Sequence, residues 1–210
     1  MTKQREEPVR VAGICGSIRI GSYTRLALAL ALRGAEEAGA LTELIDLRDY
    51  RVVFCDGNDD ESLYPEDVFK LREAVRRAQG IILATPEYHG GYSGVLKNAL
   101  DLMGFEEFEG KMLGLIGVSG GRVGAVGAMH SLRDVGRALH AWVVPEQASV
   151  PEAEEAFDEQ GHCKDAETEK RLKAVGRQVV RFASLHTAEQ AGQFLREYQS
   201  AVENPGGENQ

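Results

Sequence analysis

The chain has 210 residues, 43% of them apolar and 27% charged, with a formal net charge of −9. That is enough chain for one domain with a sizeable core. The acidic balance excludes the basic face that nucleic acid or an anionic membrane would require, though not a local phosphate pocket. Cys15, Cys55 and Cys163 are widely spaced, with no CxxC and no Cys/His spacing, so reduced thiols are expected and no metal or iron–sulfur site. No apolar run reaches the ~20 residues of a membrane span, and "MTKQREEP" carries no signal-peptide core, so a soluble cytoplasmic protein is expected.

In chain order, "VRVAGIC" is a short β-branched run ending at Gly16 and reads as a buried strand. "SYTRLALALALRGAEEAG" reads as a helix from Ser22 to a stop at Gly39, and "LTELIDLRD" as a second strand. The polar stretch "RDYRVVFCDGNDDESLYPED" is too long for a simple turn and reads as a functional lid or a disordered segment. "PEDVFKLREAVRRAQ" is a helix with Pro65 near its start, and "GIILATP" reads as a central parallel strand buried on both faces. The helix "GVLKNALDLM" follows, then the strand "KMLGLIGVSG", the helix "GAVGAMHSLRDVGRALHA" and the strand "WVVPEQASV". One or two helices over "DAETEKRLKAVGRQVVRFASLHTAEQAGQFLREYQ" close the domain.

This alternation, without repeat or linker, reads as one doubly wound α/β domain over residues 1–200, with residues 201–210 as a disordered tail. Five strands favour a flavodoxin-like parallel sheet in the order 2-1-3-4-5 with helices on both faces. Ligands of such sheets sit outside the carboxyl ends of the strands, which directs attention to three loops.

The first, "GSIRIGSYTR", offers the hydroxyls of Ser17, Ser22 and Thr24, the charge of Arg19 and the free amides of a helix start, which suit a phosphate. Ser22 equally suits a helix cap. The chain has no GxxxxGK[ST], and its first βα turn lacks GxGxxG, which excludes a P-loop and a dehydrogenase-type NAD site. In the second loop, Pro86 holds the chain extended, Glu87 and Tyr88 form an edge, and Gly90, Gly91 and Gly94 allow close approach of a flat partner, with a turn exposing the Tyr88 and His89 rings as the alternative. Ser93 reads as a helix cap, and Lys97 and Asp101 as a surface pair four residues apart. The third loop offers bare amides at Ser119, Gly120 and Gly121, with a tight turn as the alternative. Together the three outline a site for a mononucleotide with a planar head.

"GSIRIGSYTRLAL" and "PEYHGGYSGVLKNALD" together resemble the NADPH-dependent FMN reductases, flavodoxin-like flavoproteins that include quinone, chromate and azo-dye reductases. The likeness runs from Val9 to about Leu172 and takes in "DLRDY" and the "EAFDEQG…D…RL" run. It implies noncovalent FMN, with Ser17, Arg19, Ser22, Tyr23 and Thr24 around the phosphate. It implies Pro86, Glu87, Tyr88, His89 and Gly90 along the isoalloxazine ring, and Ser119, Gly120 and Gly121 at the ring's other edge. Thr24 stands where the family usually has asparagine, and His89 and Tyr92 depart from its commoner loop. The resemblance also implies a homodimer or homotetramer with Lys97 and Asp101 at the contact.

The implied reaction passes hydride from NADPH to FMN and then two electrons to a small oxidised acceptor (a flavin, quinone, azo compound or metal oxyanion) by ping-pong turnover. The cofactor supplies the chemistry, so no catalytic side chain is expected, although His89 could relay a proton. The alternative is a flavodoxin-type electron carrier without NADPH turnover of its own.

Overall fold

The structure is a computed structural model that describes residues 7–57 and 60–187. The expected tail, and the part of the last helical pattern beyond residue 187, lie outside the described residues.

Five parallel strands form the sheet: β1 (Arg10–Cys15), β2 (Leu41–Asp46), β3 (Gly80–Tyr88), β5 (Met112–Val118) and β6 (Trp142–Val150). Their order is β2-β1-β3-β5-β6, so the five parallel strands follow the flavodoxin-like order read from the sequence. Between them run α1 (Tyr23–Glu37), α2 (Glu66–Arg76), α3 (Gly94–Asp101), the short α4 (Phe105–Phe108), α5 (Val126–Ala138), α6 (Ala153–Ala156) and α7 (Ala166–His186). The central strands β3 and β5 are buried nearly throughout, as their continuous apolar runs require.

Alternation along each strand divides the core. Val11, Cys15, Ile82, Ala84 and Ile116 face α1 and α7, while Ala12, Ile14, Ile81, Leu83, Leu113 and Leu115 face the layer of α2 and α3. On the first face the strands also present Gly13, Gly80 and Gly114. A methyl group at Gly13 would lie 2.8 Å from Leu28, and one at Gly114 would lie 2.8 Å from Val175 and Val179. The helices themselves cross on glycine: a Cβ at Gly34 would overlap the Lys173 carbonyl, and one at Gly176 the Ala31 carbonyl.

The last strand pairs irregularly. Leu113 pairs with Val143 but Leu115 pairs with Gln147, and Pro145, which has no amide to donate, lies in the slack. The freed groups find partners nearby: Arg133 donates to the Val144 and Pro145 carbonyls at 3.2 and 3.1 Å, and Glu146 N–H donates to Gln178 at 2.7 Å.

The structure corrects one expectation at "TPEYHGGYS". β3 does not stop at Pro86. It continues to Tyr88 and folds back through His89 and Gly90 into β4 (Gly91–Tyr92), which pairs antiparallel with it. His89 and Gly90 have φ of +53° and +78°, the left-handed pair that a two-residue hairpin turn demands. Gly90 supplies the positive φ of that turn.

The described parts of the long connection are tied to the helices beside them. Asn98 of α3 accepts from the Cys55 amide at 3.0 Å and donates to the Val53 carbonyl at 2.8 Å. Arg72 of α2 grips Glu61 through two bonds of 2.5 and 2.7 Å.

Candidate functional site

The three loops converge at the carboxyl end of the sheet. β1 ends against β3, where the Gly16 amide donates to the Ala84 carbonyl at 2.7 Å. Gly16 lies flush with α3, since a Cβ there would come within 2.8 Å of Leu96. Beyond it Ser17 is buried, and the Ser22 hydroxyl caps α1 by accepting from Arg25 N–H at 3.4 Å. The Tyr23 ring stacks on Phe157 at 5.9 Å and 16°, and Thr24 is buried in the first turn. That turn holds no acidic residue, so its amides face the site with no carboxylate of their own helix beside them.

Pro86, Glu87 and Tyr88 form the opposite wall. The Glu87 carboxylate turns toward α5 and accepts from Ala128 N–H at 2.9 Å. Helix α5 has no side-chain cap of its own at Ala125, so Glu87 takes an amide that would otherwise lack a partner. The hairpin turn rests on the same helix start, where a Cβ at Gly127 would lie 2.5 Å from the Gly90 carbonyl.

The third loop is tied to the last strand. Ser119 N–H donates to the Val150 carbonyl at 2.9 Å, and the Ser119 carbonyl accepts from Ala153 N–H at 3.0 Å. Its hydroxyl accepts from the Gly121 amide at 3.0 Å.

These walls enclose a cavity of about 90 Å³. From the first loop it is lined by Ser17, Arg19, Ser22, Tyr23 and Thr24; from the second by Pro86, Glu87 and Tyr88; from the third by Ser119 and Gly120. His89, Gly90 and Gly121 lie outside this lining, with His89 at the exposed tip of the hairpin. Sequence reasoning missed Gly21, Val118, Ala153 and Glu154. The rule that ligands sit at the carboxyl ends of strands applies equally to the segment after β6, and would have found the last two.

A second cavity of about 400 Å³ adjoins the first across Gly21, Ser22 and Tyr23, and Arg25 and Arg48 line it. Both guanidiniums bind the buried Asp46 carboxylate, at 3.0 and 2.5 Å. Burial disfavours ionisation of Asp46, but the bonds from Arg48 and Arg25 outweigh it and hold the carboxyl below the usual aspartate range. Cys15 shows the contrary balance: burial dominates and pushes its thiol up. Among the described residues no group of three or more His, Cys, Asp or Glu could hold a metal ion, and no helix is long and apolar enough to cross a membrane.

The profile of the NADPH-dependent FMN reductase family matches residues 9–155. An NAD(P)H-dependent FMN reductase of Pseudomonas aeruginosa is 36% identical over 166 residues, covering 76% of this chain and 86% of that protein. The NADPH-dependent FMN reductase ArsH of Shigella flexneri is 31% identical over 183 residues, covering 85% of this chain and 70% of its own. Among solved structures, FerB of Paracoccus denitrificans, a flavoenzyme NAD(P)H:(acceptor) oxidoreductase, superposes with a TM-score of 0.68 at 25% identity, covering 85% of this chain and 98% of that one.

Proposed function

The chain belongs to the NADPH-dependent FMN reductase family and is an FMN-dependent NAD(P)H oxidoreductase, and we propose from that premise how its residues serve the reaction. When bound, FMN supplies the two-electron chemistry, taking hydride from NADPH and passing the electrons to a small oxidised acceptor in a ping-pong cycle. The donor set fits the cofactor's phosphate: three hydroxyls (Ser17, Ser22, Thr24), one guanidinium (Arg19) and the uncrowded amides of α1 meet in the cavity of about 90 Å³. That volume suits a phosphate and the start of a sugar chain. Tyr88 and the bare backbone of Gly120 would hold the flavin ring.

The protein's part is to bind, orient and shield. Ser17, Ser22, Tyr23, Thr24 and Arg19 hold the phosphate, Pro86 to Tyr88 support the ring along one side, and Ser119 to Gly121 flank the other. Half-exposed Tyr88 leaves the outer face of that wall open to NADPH and acceptor in turn. His89 at the exposed hairpin tip would meet an incoming acceptor.

The Lys97–Asp101 pair, at 2.6 Å and half-exposed on α3, belongs to a contact between copies in a dimer or tetramer. A sedimentation mass of one chain would remove that part. The three free cysteines fit a cytoplasmic setting.

The observation that supports the reading best is the meeting of ten residues from three separated loops in one cavity of a chain with this family match. Purified protein is expected to show a flavin spectrum and to oxidise NADPH with excess quinone or FMN. Apoprotein that fails to take up FMN would overturn the reading, and FMN-loaded protein without NADPH oxidation would make it an electron carrier.

A further inference from the structure

Ser93 sits at the base of the hairpin wall, 77 residues from the phosphate loop in sequence, and is buried against it. Its hydroxyl makes two bonds. It accepts from Leu96 N–H at 3.1 Å, the ordinary cap of α3, and donates to the Gly16 carbonyl at 2.5 Å. The Ser93 amide in turn donates to the buried Thr85 hydroxyl at 3.0 Å, and Thr85 donates to the Pro86 carbonyl at 2.9 Å. A continuous buried chain of hydrogen bonds therefore joins the ring wall to the phosphate loop.

The target of that chain matters more than its length. The Gly16 carbonyl and the Ser17 amide belong to one planar trans peptide, so they point in opposite directions. A carbonyl turned toward Ser93 leaves the Ser17 N–H turned away from α3, on the side of the cavity that Ser17 lines. Among the described residues this amide has no acceptor within the chain. The Ser93 bond holds this peptide in that orientation, while the bond from Gly16 N–H to Ala84 anchors only the preceding peptide.

Resting on the reading of this cavity as the FMN phosphate site, we infer that Ser93 is a positioning residue that sets the chain's discrimination between FMN and unphosphorylated flavin. It acts through the Gly16–Ser17 peptide and touches no ligand itself. Its hydroxyl fixes the orientation of one amide donor before the phosphate arrives, so the donor needs no reorientation on binding.

The two roles of Ser93 separate by substitution. Glycine is a serviceable helix cap but donates no side-chain hydrogen bond. For S93G, FMN binding to apoprotein, followed by quenching of flavin fluorescence, is expected to weaken about tenfold, while riboflavin binding stays within about twofold. S93T keeps acceptor and donor and should bind both flavins as the wild type does. S93A loses cap and donor together, so it should show the same fall in the FMN-to-riboflavin ratio with a lower apoprotein melting temperature. Equal losses for both flavins, or an unchanged ratio in S93G or S93A, would overturn the inference. Wild-type apoprotein that binds neither flavin would instead overturn the reading of the site.

Discussion

Toward α1 and α7 the sheet turns Gly13, Gly80 and Gly114, and the two helices meet each other through Gly34 and Gly176. Toward the opposite layer it turns Ile14, Ile81, Leu83, Leu113 and Leu115, and the buried Phe108 fills the space below α2 and α3. On one face the sheet glycines admit the side chains of Leu28, Val175 and Val179, and α1 meets α7 backbone to backbone. The other face gains its contact by filling volume. Both bury apolar surface, but the α1–α7 crossing fails by an added atom and the layer around Phe108 by lost ones.

The largest effect is expected where volume is removed. F108A should cost about 3–5 kcal/mol, since it leaves a cavity under a layer that cannot fully collapse. G176A adds a single methyl group and should still cost about 1–3 kcal/mol, because that methyl meets the Ala31 carbonyl, a backbone atom with no rotamer to escape into. Urea unfolding midpoints with unchanged m-values measure both. A neutral G176A would end the distinction between the faces.

A smaller effect belongs to the sheet's carboxyl edge, where neither face decides. D46N should cost about 2 kcal/mol, less than a fully buried pair because Arg25 and Arg48 stay partly solvated. The sign with pH follows from the depressed native pKa of Asp46. The carboxylate's contribution is fully present above its unfolded value of roughly 4 and is lost as pH falls through the lower native value. Wild-type stability should therefore fall on acidification below pH ~4 more steeply than that of D46N. Parallel acid limbs in the two proteins would show that the arginines do not hold Asp46 ionised.

Much of this was legible beforehand. Strand order followed from the alternation of elements, and Ser22 and Ser93 announced themselves as caps because a hydroxyl before an apolar helical run has a local job. What stayed hidden is tertiary. "HG" is a weaker hairpin signal than "NG", because histidine resists positive φ more than asparagine does, so β4 and its turn read as loop. Nothing near Glu87 in sequence foretells that its carboxylate serves a helix 41 residues away. Ser93 shows the limit well. Its cap was readable from Leu96, but its second bond was not, since Gly16 becomes its neighbour only once the sheet has formed.

The Glu87 bond makes one amide of α5 a gauge of the ring wall. Exchange of the Ala128 amide with solvent requires its bond to Glu87 to break, and the hairpin that carries Glu87 rests on the same helix start at Gly127. Loosening of the hairpin and fraying of α5 are coupled through these two contacts. Through a single proton, α5 reports how often this side of the cavity opens.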